Sequence, residues 1–376
     1  MFMAFEEKTA EINKTFKCTG CSAPLAYKPG TDYLLCPYCG TRNTITQNVE
    51  NAPPLTFPID YEHYIASIKD VNDNRYEELQ EIAKCTNCGA STTLPSHVVA
   101  AKCAFCSSPL VIDHHTEHIV RPQALVPFFI DNKLAYQQFK TWGGKRWFAP
   151  NDFKRIFDTY SLNALKGVYI PFWVFNANTV TDYTGERGDH YYVERTVRDK
   201  DGNTTTVQDQ RTRWRYASGR VSVTFKDITI CASQSLSQAS SDKLGPWHLD
   251  RLVPFNEQYI SGFSAQTYQL DPQAAMAEAK AVMQYQIRGY IKDDIGGDEQ
   301  RIDSADTDFS KEGIRYVLLP VWLTSYKYNG KYYQIMINAF SGKVYGDRPY
   351  STWKIVGAIL LGIIILYIIG LFLGVG

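Results

Sequence analysis

Eight of the nine cysteines fall into two copies of one pattern, Cys-x2-Cys-x14-Cys-x2-Cys, and every cysteine of the second copy lies 67 positions after its counterpart. Two residues between paired cysteines allow a tight turn that points both sulfurs at one ion. Fourteen residues between the pairs are enough for a short hairpin. Such a unit is too small to bury a core, so metal binding would supply its folding free energy. The eight cysteines are Cys18, Cys21, Cys36, Cys39, Cys85, Cys88, Cys103 and Cys106.

The cysteines are typical of a reducing compartment. The N-terminal sequence MFMAFEEKTAEINK has early acidic residues and no apolar run, so it does not read as a signal peptide. A disulfide framework needs export, and we therefore expect metal-bound thiolates. Four thiolates in each unit predict a closed, structural zinc site, with two Zn2+ ions in all. Iron is the alternative metal, and free or disulfide-bonded cysteines are the alternative to metal. The ninth cysteine, Cys231, lies in an apolar run and is predicted to be an inert core residue.

The order of these patterns predicts a multidomain chain. We expect a first zinc ribbon at 1–48, a helical connector at 49–84, a second zinc ribbon at 85–112, an α+β domain at 113–350 and a transmembrane helix at 353–376. The helix of the connector is predicted from about Asp60 to Lys84, since its exposed positions are acidic.

The α+β assignment depends on alternating strand signals and on two helix signals. Residues 168–175 and 191–197 are rich in aromatic and β-branched side chains, which is typical of strands. Asp-Gly at 201–202 and Asn-Gly at 329–330 predict hairpins. Helices are expected at 131–142 and at 272–291, the latter opened by Asp-Pro.

The motif Leu-Val-Pro-Phe occurs at 125–128 and again at 252–255. Each copy precedes a predicted helix and then an aromatic strand with an internal proline. We interpret this as a duplicated strand–helix–strand–hairpin unit; chance recurrence in an aromatic-rich chain is the alternative.

Residues 355–376 form a segment of 22 residues without a charge, and fifteen of them are Ile, Leu, Val or Phe. At about 1.5 Å per residue this segment is long enough for a hydrocarbon core of about 30 Å. Lys343, Arg348 and Lys354 precede it and nothing charged follows. The positive-inside rule therefore predicts a single-pass protein of the cell membrane with residues 1–352 in the cytoplasm.

Charge and motifs argue against two function classes. The chain has 39 basic and 39 acidic side chains, so it lacks the excess positive charge that neutralises phosphates. No Gly-x-Ser-x-Gly or His-Glu-x-x-His motif is present, and Gly143-Gly-Lys-Arg146 lacks the remaining residues of a phosphate-binding loop. The His-rich segment 113–118 is interpreted as a solvated linker. We therefore expect no enzyme activity and assign no catalytic or cofactor-binding residues.

Taken together, the motifs CTGC…CPYC and CTNC…CAFC, the LVPF and YIPFW blocks and the closing block LLPVWLTSYKYNGKYYQIMINAFSGKVYGDRP resemble a known family. It is the bacterial TFIIB-type zinc-ribbon, membrane-anchored proteins, whose members are sometimes labelled primosomal helicase-like. The resemblance implies that the eight paired cysteines bind zinc. It also implies partners of the phage-shock-protein-A and SPFH types in envelope-stress responses.

Architecture and resemblance together predict a non-enzymatic membrane scaffold that recruits cytoplasmic or membrane proteins in a stress response. The alternative is a zinc-ribbon nucleic-acid-binding protein tethered at the membrane.

Overall fold

The computed structural model describes residues 16–45, 58–69, 77–87, 89–93, 101–103, 108–110, 115–150, 165–198, 204–328 and 331–372. Within them the protein is a mostly β-sheet body with several helices. The strands, numbered along the chain, are β1 Ala26–Tyr27, β2 Tyr33–Leu35, β3 Arg42–Thr44, β4 Ile59–Asp60, β5 Glu77–Lys84, β6 Ser91–Thr93, β7 Ala101–Lys102, β8 Pro109–Leu110, β9 His115–Val120, β10 Ala124–Leu125, β11 Lys166–Arg198, β12 Thr204–Cys231, β13 Val253–Pro254, β14 Ser264–Ala265, β15 Glu299–Tyr328, β16 Lys331–Asn338 and β17 Val344–Gly346. The helices are α1 Tyr61–Lys69, α2 Asn132–Gly144, α3 Gln238–Leu244, α4 Glu257–Ile260, α5 Pro272–Ile295 and α6 Thr352–Phe372.

Three very long strands build the body. β11, of 33 residues, lies between β12 and β15 and runs antiparallel to both. Every residue from 168 to 175 is buried, as expected for a continuous apolar run covered on both faces. From 177 to 185 alternate residues are buried, which shows that only one face of the sheet remains covered there.

Helix α5 covers that face. The carboxylate of Asp271 caps its first turn by accepting a hydrogen bond from the Ala274 N–H at 2.8 Å, and Pro272 occupies the first helical position. Near its end, the Tyr183 hydroxyl of β11 donates to Asp294 at 2.5 Å. One apolar stripe of α5 is buried against the sheet: Ala275, Met276, Ala279, Met283, Ile287, Ile291 and Ile295.

Beyond the end of α5 the sheet narrows to a two-stranded β-arm, residues 189–198 and 204–213. The pairing of β11 with β15 ends at Gly188 and Glu299, whereas its pairing with β12 continues to Arg198 and Thr204. Neither face of the β-arm is covered by another described element, and its side chains are polar for the most part.

The connector differs from its prediction. Among its described residues, 58–69 and 77–84, the connector is helical over α1, and Glu77–Lys84 forms strand β5 where the helix was predicted to continue. β5 pairs with β6 and with β9, so residues 115–118 of the segment 113–118, predicted to be a linker, belong to a strand; residues 113–114 lie outside the described residues. The acidic sequence of β5 has no strong strand preference, and pairing with two neighbours decides its conformation.

The two Leu-Val-Pro-Phe motifs meet in the sheet. Ala124 pairs with Pro254 and Leu125 with Val253, which joins β10 to β13 in antiparallel register. β10 also runs parallel to β15. The motifs therefore share one part of the core, while the duplication itself stays a prediction.

Helix α6 is apolar on all sides and lies outside the core. Its window Thr352–Ile369 has a mean hydropathy of 2.3, and none of it is buried in the protein. Among the described residues it is the one helix long and apolar enough to cross a membrane, as predicted for 353–376.

Candidate metal centre

Each cysteine pair of the first ribbon closes a tight turn held by two backbone hydrogen bonds. The Cys18 N–H donates to the Ala23 carbonyl at 2.8 Å, and the Ser22 N–H donates back to the Cys18 carbonyl at 2.9 Å. The turn at Cys36 repeats both bonds at 3.0 Å. Ser22 and Gly40 follow the two pairs at φ values of 58° and 73°, a conformation in which small residues are favoured. The turns aim the two sulfurs of each pair in one direction.

The four sulfurs of these turns form one cluster. They belong to Cys18, Cys21, Cys36 and Cys39 and all lie within 4.8 Å of one another. The Sγ–Sγ distance is 3.5 Å for Cys18 and Cys39, and also for Cys21 and Cys36. Tetrahedral coordination with a metal–sulfur bond of about 2.3 Å places sulfurs about 3.8 Å apart. The cluster can therefore bind one metal ion.

Polar groups next to the cluster bond to its sulfurs. The Gly20 N–H donates to Cys18 Sγ at 3.3 Å, and Thr41 Oγ1 lies 3.0 Å from Cys39 Sγ. The Asn43 amide nitrogen lies 4.0 Å from Cys18 Sγ. The cysteine spacing did not identify Thr41 or Asn43. Thr41 lies two residues after Cys39 in the same turn, whereas the position of Asn43 beside Cys18 depends on the pairing of β3 with β2.

These bonds stabilise thiolates. Burial raises the pKa of Cys18, but hydrogen bonds from the backbone N–H groups of Gly20 and Cys21 and from the Cys39 and Cys36 side chains together outweigh burial and lower that pKa to about 6. The Thr41 hydroxyl and backbone N–H lower the pKa of Cys39 below its usual value. Two of the four ligands therefore favour the deprotonated form that binds metal.

We predict that Thr41→Val lowers metal affinity about 10-fold, because groups that bond to ligands typically contribute this much. Competition against a chromophoric chelator measures the change. The matched control is Thr44→Val, at an exposed position three residues after Thr41. Equal losses in both variants would show that the loss of any threonine hydroxyl in residues 41–44, and not the loss of the contact with Cys39, lowers the affinity.

The first ribbon is fastened to the body through backbone and aromatic contacts. The Tyr27 N–H donates to the Ser261 carbonyl at 2.9 Å, and the Ser261 hydroxyl donates to the Leu25 carbonyl at 2.8 Å. The Tyr27 and Tyr259 rings meet edge to face at 5.2 Å. Gly30 has a φ of 74°, and a Cβ there would lie 2.9 Å from the Phe129 carbonyl oxygen. The ribbon therefore shares a hydrophobic core with the body.

The described part of the second ribbon has the same turn. The Cys85 N–H donates to the Ala90 carbonyl and the Gly89 N–H to the Cys85 carbonyl, both at 2.8 Å. Gly89 has a φ of 74°, like Gly40. The Cys103 N–H donates to the Ser108 carbonyl at 2.9 Å. Cys85 and Cys103 are buried. The other two cysteines of this unit, Cys88 and Cys106, lie outside the described residues.

The strand register beside these turns also repeats at the spacing of 67. Lys84 pairs with Ser91 as Lys17 pairs with Pro24. Lys102 pairs with Pro109 as Leu35 pairs with Arg42. This unit too contacts the body, where the Gln269 side chain donates to the Gly89 carbonyl.

Cys231 lies at the end of β12 and is 8% exposed. Burial raises the pKa of its thiol to about 12, so it stays protonated at neutral pH. This environment agrees with the inert core residue predicted for the ninth cysteine.

Comparison with known proteins gives one distant relative and no family. The chain is 25% identical over 351 residues to the uncharacterized protein YdjG of Bacillus subtilis (strain 168), covering 91% of this chain and 92% of that protein. No family model matches the chain, and no solved structure matches it. The similarity thus spans about nine tenths of both proteins, and the name of the relative gives no function.

Proposed function

We propose that the protein is a non-enzymatic, membrane-anchored scaffold whose ribbons and β-sheet body recruit partner proteins, with α6 as a single-pass anchor. The observation that carries the proposal is the combination of a four-thiolate cluster fastened to the body with an apolar helix that the body leaves uncovered. A closed four-sulfur site leaves no open position for chemistry on a bound ion. An uncovered apolar helix needs a bilayer or another apolar environment.

Zinc is the proposed metal, with one ion in each ribbon. Four thiolates at tetrahedral spacing favour Zn2+ in a reducing compartment. For the second ribbon, support comes from the repeated turn at Cys85 and from the strand register that recurs 67 residues later. Metal bound there would fix Cys88 and Cys106 on the same ion as Cys85 and Cys103.

The body offers a fixed polar surface on the face of the long sheet opposite α5. Thr184 Oγ1 lies 2.6 Å from Ser304 Oγ across β11 and β15. Arg220 binds Asp182 through two nitrogens at 2.6 and 2.8 Å across β11 and β12. Side chains held in this way lose little conformational entropy when a partner binds, which suits a recruitment surface. By family resemblance, the proposed partners are phage-shock-protein-A-like or SPFH membrane proteins.

The alternative, binding to nucleic acid, receives no support from three arginines at or near the β-arm. Arg187 and Arg215 both bind the carboxylate of Asp189, and Arg195 binds Asp209 at 2.9 Å. Guanidinium groups neutralised by carboxylates contribute little to phosphate binding. Specific, steeply salt-dependent DNA binding by the purified protein would restore the alternative.

Orientation tests the proposal directly, since a platform for cytoplasmic partners must face the cytoplasm. Three basic residues, Lys343, Arg348 and Lys354, precede the uncharged segment 355–376, so we expect protease added outside intact spheroplasts to leave residues 1–352 uncut. Disrupting the membrane should then expose them to cleavage. Cleavage in intact spheroplasts would place the ribbons outside and contradict the proposal.

A further inference from the structure

We propose that the body lies directly on the bilayer through a membrane-proximal collar that binds the headgroups of anionic phospholipids. The collar consists of Arg146, Trp147, Arg348, Tyr350, Trp353 and Lys354. This inference rests on the proposed anchoring by α6 and goes beyond it, because an anchored body can also stand clear of the lipid surface on a flexible stalk.

Hydrogen bonds join a distant turn of the body to the first residues of α6. The Lys354 ammonium donates to the Trp147 carbonyl at 3.2 Å and to the Ala149 carbonyl at 2.7 Å. The Ser351 N–H donates to the Phe148 carbonyl at 2.8 Å. A helix that spans a bilayer from Thr352 begins at the interface. The turn at 146–149 must then lie at the interface as well.

Two of the seven tryptophans are strongly exposed, four are buried and Trp214 is intermediate. Of the seven, Trp147 and Trp353 are 70% and 85% exposed. Four others are at most 8% exposed: Trp142, Trp173, Trp247 and Trp322. Both strongly exposed tryptophans therefore lie in the collar, beside Tyr350 at 60% exposure. Tryptophan and tyrosine rings favour the headgroup level of a bilayer, because one end is apolar and the other forms hydrogen bonds.

The arginines of the collar lack acidic partners among the described residues. Arg146 stacks on the Trp142 ring at 4.7 Å and Arg348 on the Tyr350 ring at 4.9 Å, and neither forms an ion pair there. Arg146 Nε is buried with no hydrogen-bond partner in the described part of the chain. Burial, and next the positive charge of Arg348, lower the pKa of Arg146. Two neighbouring guanidinium groups without an ion-pair partner among the described residues match a phosphate, which accepts paired hydrogen bonds from arginine.

Lipid phosphate, and not a soluble phosphate, is the proposed ligand because of where these donors lie. They surround the start of an apolar helix and share the surface with exposed aromatic rings. A site for a soluble anion needs neither feature.

Photo-crosslinking in the full chain tests the collar. We would place p-benzoylphenylalanine at position 147 and, as a matched control, at position 285, where Tyr285 is 81% exposed on α5. In nanodiscs of phosphatidylcholine and phosphatidylserine, mass spectrometry should find lipid adducts at position 147 and none at position 285. No lipid adduct at position 147, or equal adducts at both positions, would overturn the inference.

The charge of the collar is tested in the same nanodiscs. Adducts at position 147 should be enriched in phosphatidylserine relative to the bilayer, and R146Q/R348Q should return them to the bilayer composition. R211Q/R213Q on the β-arm is the control and should keep the enrichment. If excess inorganic phosphate removes the enrichment, the collar binds soluble phosphate and the lipid assignment is wrong.

Alkaline carbonate separates a failure of the collar from a failure of the anchor. Full-length protein that stays in the membrane but gives no adduct at position 147 refutes the collar alone. Full-length protein that carbonate releases refutes the anchor on which the collar depends.

Discussion

Purified full-length protein will carry two zinc ions per chain, and replacing the four cysteines of either ribbon by serine will remove one of them. The physical reason is that the two ribbons share no ligands, so each closed site fills independently. Zinc in such small units supplies about 10–16 kcal/mol of apparent folding free energy at neutral pH. The loss of one ion should therefore unfold the ribbon that held it. Elemental analysis by mass spectrometry measures the ion content.

The ninth cysteine provides the matched control for this experiment. Cys231→Ser changes a buried thiol that lies outside both patterns, so it should leave the content at two ions. One ion per chain in the unmodified protein would refute the second site, and substantial iron would refute zinc.

Unfolding of the first ribbon should also disturb the body. Tyr27 packs against Tyr259 in a shared core, and the ribbon is bonded to Ser261 and Phe128. Limited proteolysis of the variant without the first four cysteines should therefore cut within 16–45 first and then near 257–263. Cutting confined to the ribbon would show that the body holds its core without it.

The local sequence predicts several helices, strands and turns of the fold. Asp271-Pro272 marks the start of α5. The Asn-Gly at 329–330 separates β15 from β16, which pair with each other. The rings of Tyr326 in β15 and Tyr333 in β16 stack at 5.3 Å. The sequence predicts these features because helix caps and tight turns depend on the preferences of residues that are adjacent in the chain. The cysteine spacing likewise predicted the four-sulfur cluster of the first ribbon.

Other features depend on partners that are distant in the sequence. β5 has a helix-like acidic sequence and becomes a strand by pairing with β9, more than 30 residues later. The ribbon is fastened to the body by Tyr27 and Ser261, which no spacing rule connects. The β-arm has polar residues on both faces, so no apolar alternation reveals how far β11 and β12 extend.

Deleting residues 355–376 should convert the protein from membrane-bound to soluble. The fifteen apolar side chains of this segment favour insertion by about −5 to −9 kcal/mol in total, since each contributes about −0.3 to −0.6 kcal/mol. This truncation keeps Lys354, whose ammonium holds the turn at Trp147 and Ala149. Fractionation with alkaline carbonate measures the result, and an unrelated apolar span fused after Lys354 is the control that should restore retention. Release of the unmodified protein by carbonate would show that α6 does not span the membrane.

The same truncation gives the most direct test of a membrane scaffold. Proximity labelling from the first ribbon in living cells would identify partners of the full-length protein, and fractionation would then locate each partner in cells with the truncated form. We expect a partner that still binds the truncated protein in solution but leaves the membrane fraction, and that returns when the unrelated span is fused. A partner that reaches the membrane equally well without residues 355–376 would contradict recruitment by this protein.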